Sequence, residues 1–318
     1  MKRKTHPIKT VKTKLAPLPL AVLAFLCALL CALSAQAQTL QFRYNFEDGP
    51  GTTTTNDPSS AIYPLVMNMV SSSGAAGDLH GPANSGVQNV GASLNLSTNP
   101  IAGNSPGSCA TVTNSAALGA LGTVTDFTAT MWIKMPVIET NLLNNGSRLY
   151  ELVGPGILDI GGVNTIGFQF QLGSGGPVFP PIIMRGVIGN TILTPPIWYT
   201  WPTNEWLFFA LTYNSTTGDA AMYFGSEASP AKMYVVKNIG AGTNFNFSGT
   251  PSFTLGDRPQ KGRSFPGWID DARFYTGAGN AAFIENIRKS DGTYSRPHEH
   301  PARRSGNLGA RGLRRVHQ

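Results

Sequence analysis

Apolar and polar residues alternate in several short runs along the chain, and a period of two marks a strand with one buried face. In residues 40–46 the positions Leu40, Phe42, Tyr44 and Phe46 are apolar and those between them polar. This predicts a first strand with those four side chains inward. Residues 127–135 alternate in the same way, with Phe127, Ala129, Met131, Ile133 and Met135 inward and Pro136 as the stop. Residues 206–213 are apolar on both faces, as expected of a central strand covered on both sides. A turn at 214–219 and a returning run at 220–224 make a hairpin, and 148–153, 166–172, 232–237 and 252–255 read as further strands. Only 281–289 carries a helical pattern, with Phe283, Ile284 and Ile287 on one face. Residues 47–51 form a turn cluster, 173–181 a Gly/Pro loop, and 68–110 short strands among long Gly-, Ser- and Asn-rich loops. Many short strands, frequent turns and no long helix predict an all-β protein, an antiparallel two-sheet jelly-roll sandwich.

The run Gly267-Trp268-Ile269-Asp270-Asp271-Ala272-Arg273-Phe274-Tyr275 breaks the pattern. Strict alternation puts Trp268, Asp270, Ala272 and Phe274 on one face and Ile269, Asp271, Arg273 and Tyr275 on the other, so one carboxylate turns inward. A buried carboxylate costs several kcal/mol unless it is paired, hydrogen-bonded or metal-bound. Either a β-bulge at Asp270-Asp271 resets the alternation, or one carboxylate serves backbone amides or a cation. The two readings are compatible.

Charge changes the picture less than the formal net of +7 suggests. Half of the 24 Lys and Arg residues lie before residue 16 or after residue 295, and the body between Gln38 and Ser295 is net acidic. The pI therefore does not argue for nucleic-acid binding. The first 37 residues are basic, then apolar from Leu20 to Leu33, and end at Ala35-Gln36-Ala37. That is the form of a secretory signal peptide with Gln38 as the mature start, an uncleaved anchor being the alternative. Cys27 and Cys31 fall in that segment, which leaves Cys109 alone and no intrachain disulfide in a mature chain. A hydrophobic core must therefore hold the body together. Residues 38–290 form the predicted domain. Residues 291–318 are a basic tail without periodicity, read as disordered, either a flexible arm or a shifted reading frame.

Three segments in order carry a resemblance: residues 127–134, then 205–213 with 221–225, then 255–275. Together they resemble the laminin-G-like jelly roll of the concanavalin A-like lectin/glucanase superfamily. Residues 44–49 are similar to its opening strand and turn, and 281–287 to its closing segment. The resemblance implies two curved sheets face to face in a module that is usually non-catalytic and serves glycan binding, adhesion or surface display, often with a calcium ion at one end. Calcium needs six to eight oxygens. On that resemblance Asp57, Asp270 and Asp271 are the candidate ligands, with Asp48 as a weaker extra. The competing reading of these acids is turn formation.

Sugar binding has its own signal. Trp198, Tyr199 and Trp201 crowd into a Pro-bounded segment, and Asn204 follows. Aromatic planes cover the apolar faces of pyranose rings while polar side chains bind hydroxyls. The alternative is that these rings cover the sandwich. No Glu-x-Asp-x-x-Glu run is present to place two carboxylates on one strand face for glycoside cleavage, and the body has one histidine, His80. The pair His298 and His300 lies in the tail with no core around it. The expectation is a secreted, non-catalytic module whose partner is a glycan or a cell-surface or matrix component, with no nucleic acid and no membrane partner. The alternatives are a structural envelope or matrix protein without a small ligand and, behind it, a glycan-active enzyme.

Overall fold

The computed structural model describes residues 37–99, 106–112, 114–135, 147–154, 167–173, 183–189, 191–194, 204–258 and 262–290. The elements in order are β1 (Thr39–Tyr44), β2 (Thr53–Thr55), β3 (Val66–Val70), β4 (Leu94–Asn95), β5 (Cys109–Val112), α1 (Ser115–Leu118), β6 (Thr123–Val124), β7 (Phe127–Lys134), β8 (Ser147–Val153), β9 (Gly167–Gly173), β10 (Ile183–Ile188), β11 (Thr191–Leu193), β12 (Leu207–Asn214), β13 (Asp219–Ser226), β14 (Lys232–Asn238), β15 (Phe245–Asn246), β16 (Ser252–Leu255), β17 (Trp268–Thr276) and α2 (Ala281–Ser290). Sheet A runs β1-β17-β7-β12-β13-β14, with β4 also on β17. Sheet B runs β11-β10-β9-β8-β16-β5-β3-β2, and β15 with β6 makes a small third pair. The pairings are antiparallel, for example β7 with β12 and β8 with β16. The protein is thus the two-sheet jelly-roll sandwich that the alternation predicts.

The core lies between the sheets. Phe127, Ala129, Met131, Ile133 and Met135 all reach it from one side, and Tyr150, Leu152, Phe170, Phe253 and Leu255 meet them from the other. Phe253 is the hub, 4.8 Å from Phe42 and 4.7 Å from Tyr150 between ring centres. Each such fully buried ring contributes about 1.5–3 kcal/mol. The expected inward set of the first strand holds for Phe42, Tyr44 and Phe46 but not for Leu40. The register of β1 on β17 shifts between Leu40 and Phe42, so Leu40 packs on the outer side of sheet A.

That outer side is itself apolar and roofed. Trp132, Phe208, Ala210, Tyr223 and Tyr275 lie under Ile284 and Ile287 of α2 and under Val87. This is why residues 206–213 read as apolar on both faces. The helix starts where the Asn280 side chain accepts from the Phe283 N–H at 2.9 Å. It is tied down by Glu285, which accepts from the Ala231 N–H at 2.8 Å, and by Arg288, which donates to the Ser226 carbonyl at 2.6 Å. No helix among the described residues is long and apolar enough to cross a membrane. Residues 1–36 and 291–318, which carry the signal-peptide and tail expectations, lie outside the described residues.

Candidate functional site

The acidic doublet of β17 settles first. Asp270 pairs with Trp132 and Arg273 with Thr130, so β17 holds one residue more than β7 between these pairs. That is a bulge, and Asp271 within it has φ +47°, a conformation that Asp and Asn accept more readily than most residues. Both expected devices are present. The Asp271 carboxylate receives Arg43 Nε and, at 2.6 Å, Arg273 Nη2. Arg43 reaches on to Asp57 Oδ2 at 3.5 Å, and the Asp57 N–H donates to the Arg43 carbonyl at 2.8 Å. Arg273 also donates to Tyr275 Oη at 3.3 Å and Ser290 Oγ at 3.1 Å, which joins the network to α2.

Asp270 works differently. Its two oxygens accept the Asp271 N–H at 2.7 Å and the Val87 N–H at 3.0 Å. A Cβ on Gly86 would fall 2.8 Å from Asp270 Oδ2 and 2.2 Å from the Val90 carbonyl, so a glycine lets the 86–92 loop press onto this carboxylate. Burial, and after it the charge of Asp271, pushes the Asp270 carboxyl well above the usual carboxylate range. The carboxylates of Asp57 and Asp271 therefore face guanidinium groups, and that of Asp270 faces amides. As disposed, these three do not form a cage of free oxygens for calcium, and no group of three or more His, Cys, Asp or Glu side chains among the described residues does. Asp48 accepts from Thr54 Oγ1 and the Thr55 N–H, at 2.8 and 2.7 Å, and meets His80 Nε2 at 3.3 Å.

A second group forms one cross-strand row further along the same face. β12 pairs with β7 from Leu207 opposite Ile133, which sets Trp206 beside Lys134. Lys134 pairs with Trp268, and Trp268 with Asn95 of β4. Lys134 Nζ sits 4.8 Å from the Trp206 ring centre and 5.0 Å from that of Trp268, a cation held between two indoles. Burial pushes the lysine pKa down, with Glu227 and Asp270 acting against it. Trp206 is only 3% exposed, and among the described residues its Nε1–H has no hydrogen-bond partner. Trp268 is half-buried.

Sheet B presents a polar outer row. Thr53, Asn68, Thr111, Thr254 and Glu151 are successive cross-strand neighbours. Thr254 and Glu151 are fully buried.

Of the residues that the sequence singles out for sugar, Trp198, Tyr199 and Trp201 lie outside the described residues. Asn204 is exposed, with φ +63°, and its N–H donates to the Met135 carbonyl at 2.7 Å. It therefore sits two residues before Trp206, at the edge of the indole row. Sequence reasoning missed Lys134, Trp206 and Trp268 as a unit. The signal for it was available: a lysine closing one alternating strand, and a tryptophan opening each of two others.

The chain belongs to the concanavalin A-like lectin/glucanases superfamily, whose family profile matches residues 107–285. No curated protein matches it in sequence. Among solved structures it is similar to domain 4 of AbnA, a GH43 extracellular arabinanase from Geobacillus stearothermophilus, in complex with arabinotriose. That likeness has 15% identity and a TM-score of 0.50, over 79% of this chain and 99% of that one. The heptameric SAP-like pentraxin from Limulus polyphemus is similar at 13% identity and a TM-score of 0.36, over 52% of this chain and 70% of that one. The botulinum neurotoxin serotype G binding domain is similar at 14% identity and a TM-score of 0.48, over 80% of this chain and 52% of that one. At such identities the likeness is one of fold, and function has to be argued from the site.

Proposed function

We propose that the chain is a secreted, non-catalytic module that binds glycans. The observation that carries this is the row Trp206–Lys134–Trp268, two indoles and a cation side by side at the end of three adjacent strands. Aromatic surface with a few polar donors is what a sugar site requires. Trp198, Tyr199 and Trp201 precede Asn204 in the chain and are candidates on their residue type alone. The similar arabinanase domain was solved with arabinotriose, which supports a saccharide as the class of ligand. The non-catalytic part rests on the acids. Glycoside cleavage needs two carboxyl groups flanking one bond, about 5–5.5 Å apart for retention and wider for inversion. Glu151 is the only acid on the described strands of sheet B, while Asp271 faces guanidiniums and Asp270 amides. We assign the acid–guanidinium network a structural role that takes the place of a calcium ion.

The test is a glycan array followed by calorimetry, with Trp268→Ala and Trp201→Ala. Binding that falls at least tenfold in either variant supports the reading. A flat array, repeated with calcium present, would sink it. A structural envelope role is the second reading, favoured by Met233 and Val236, which are 56% and 52% exposed on the edge strand β14. Concentration-dependent self-association together with a flat array would decide for it.

A further inference from the structure

The row does more than mark a sugar site, because its polar groups are all donors. Lys134 has three N–H bonds and makes no ion pair or hydrogen bond with a described residue; its contacts are the two indole faces. The acids that influence it are already engaged. Glu227 Oε1 accepts the Gln88 N–H at 2.6 Å, and both oxygens of Asp270 hold amides. The Trp206 indole N–H is sealed from solvent, with no acceptor among the described residues, and takes no part in binding. Asn95, opposite Trp268, spends its Oδ1 on the Ser97 N–H and hydroxyl, at 3.1 and 2.7 Å, which leaves its NH2 to donate. An ammonium and an amide NH2 on one face, the amide oxygen already engaged, are complementary to an oxyanion and to the hydroxyls beside it.

The indoles sharpen the choice between a neutral and a charged sugar. On each ring one face is taken by the ammonium, so a neutral pyranose cannot stack on that face without displacing it. An anion approaching the ammonium from outside leaves both cation–π contacts in place.

We propose that this row recognises an anionic saccharide, the anion being a sugar carboxylate or a sulfate ester held by Lys134, with Asn95 Nδ2 donating to a hydroxyl of the same sugar. The inference rests on the glycan-binding reading above and names the ligand class at the same site. Lys134 supplies the charge, Trp268 and the lysine stem supply apolar contact for the sugar ring, and Asn95 orients it.

The experiment uses the full chain and matched pairs of ligands: oligogalacturonate against the corresponding galactose oligomer, and a sulfated galactan oligosaccharide against its desulfated form. Calorimetry at low and at moderate salt is the readout. At least tenfold tighter binding of the charged member, weakened by salt, is expected. Lys134→Met should abolish that preference, bringing the charged member of each pair to the affinity of the neutral one, and Lys134→Arg should keep most of it. Preference for the carboxylate pair alone, the sulfate pair alone or both supports the proposal and names the anion. Equal affinity within both pairs overturns it and leaves the glycan-binding reading standing. No binding of any glycan overturns both. Because the comparison within each pair uses the unmutated chain, a variant that fails to fold does not decide the outcome.

Discussion

Asp271→Asn tests the physical account of the acidic doublet directly. Asn keeps the size of the side chain and tolerates a left-handed backbone, so the bulge with its φ of +47° can persist and only the charge is lost. The side chains of Asp271, Arg43 and Arg273 are 3%, 9% and 7% exposed, so solvent screens the loss little. Removing one partner of a buried ion pair costs about 3–5 kcal/mol, because the other charge stays buried. Here two guanidiniums lose the same carboxylate. Arg43 keeps Asp57 at 3.5 Å, a partner 21% exposed, and Arg273 keeps the hydroxyl oxygens of Tyr275 and Ser290. With these contacts retained, the expected loss is at the lower end of that range, about 3–4 kcal/mol. That is a large share of the roughly 5–15 kcal/mol that holds a typical domain folded. Urea unfolding followed by tryptophan fluorescence would measure it, with Arg43→Met and the double variant completing a cycle. The cycle should show coupling of at least about 1 kcal/mol. A loss below about 0.5 kcal/mol for Asp271→Asn, the range of an ordinary surface change, or strict additivity in the cycle, would refute the reasoning.

Gly86→Ala should destabilise by about 1–3 kcal/mol, the usual cost of overpacking, since its Cβ would fall 2.2 Å from the Val90 carbonyl; an unchanged urea midpoint would count against the docked loop. Glu285 is held down from its ordinary 4.5 to about 2, first by its hydrogen bond from Arg288. A folded pKa below the unfolded one gives stability that is present above pH 4.5 and lost as pH falls through about 2, so Glu285→Gln should flatten the stability profile across that window, and an unchanged acid limb would contradict it. Millimolar calcium should leave the melting temperature unchanged, because guanidiniums and amides already meet these carboxylates. An ion bound a hundredfold below its working concentration would add about 2.7 kcal/mol, and an upward shift of that size would overturn the assignment.

Local patterning made much of the fold legible. Alternation in residues 127–135 placed five side chains in the core, where all five lie. The helix at 281–289 was visible from Phe283, Ile284 and Ile287, and the two apolar faces of residues 206–213 from their composition. Leu40 was misplaced because a register shift inside β1 leaves no mark in a pattern of alternating residues. Strands β3, β5 and β10 were not singled out, since Gly, Ser and Thr around them dilute the period of two. The indole row was invisible for a different reason. Lys134, Trp206 and Trp268 are far apart in the chain and meet only because β12, β7 and β17 are neighbours in one sheet. A sequence read segment by segment shows each residue as a strand end and not as one third of a site.

The bulge explains why an ion network costly to bury belongs in β17. Without an extra residue, alternation from Trp268 and Asp270 would carry Ala272 and Phe274 to the outer face and Arg273 and Tyr275 to the core. A slip of one residue inverts every later side chain. With Asp271 inserted, Ala272 and Phe274 turn inward, and Phe274 stacks 5.4 Å from Phe42. Arg273 turns outward to meet Asp271, and Tyr275 packs edge-on against Phe283 of α2 at 5.2 Å. The pairing of Asp271 with Arg43 and Arg273 therefore favours the one register in which the core ring and the roof contact are both made. The same insertion leaves Trp268 and Asp270 on the outer face, which is what sets Trp268 over Lys134 and Asp270 under the Val87 amide. The acids marked in the sequence as a ligand site and the row proposed to bind a ligand are in this way two consequences of one added residue: the first fixes the strand, and the second uses where the strand was fixed.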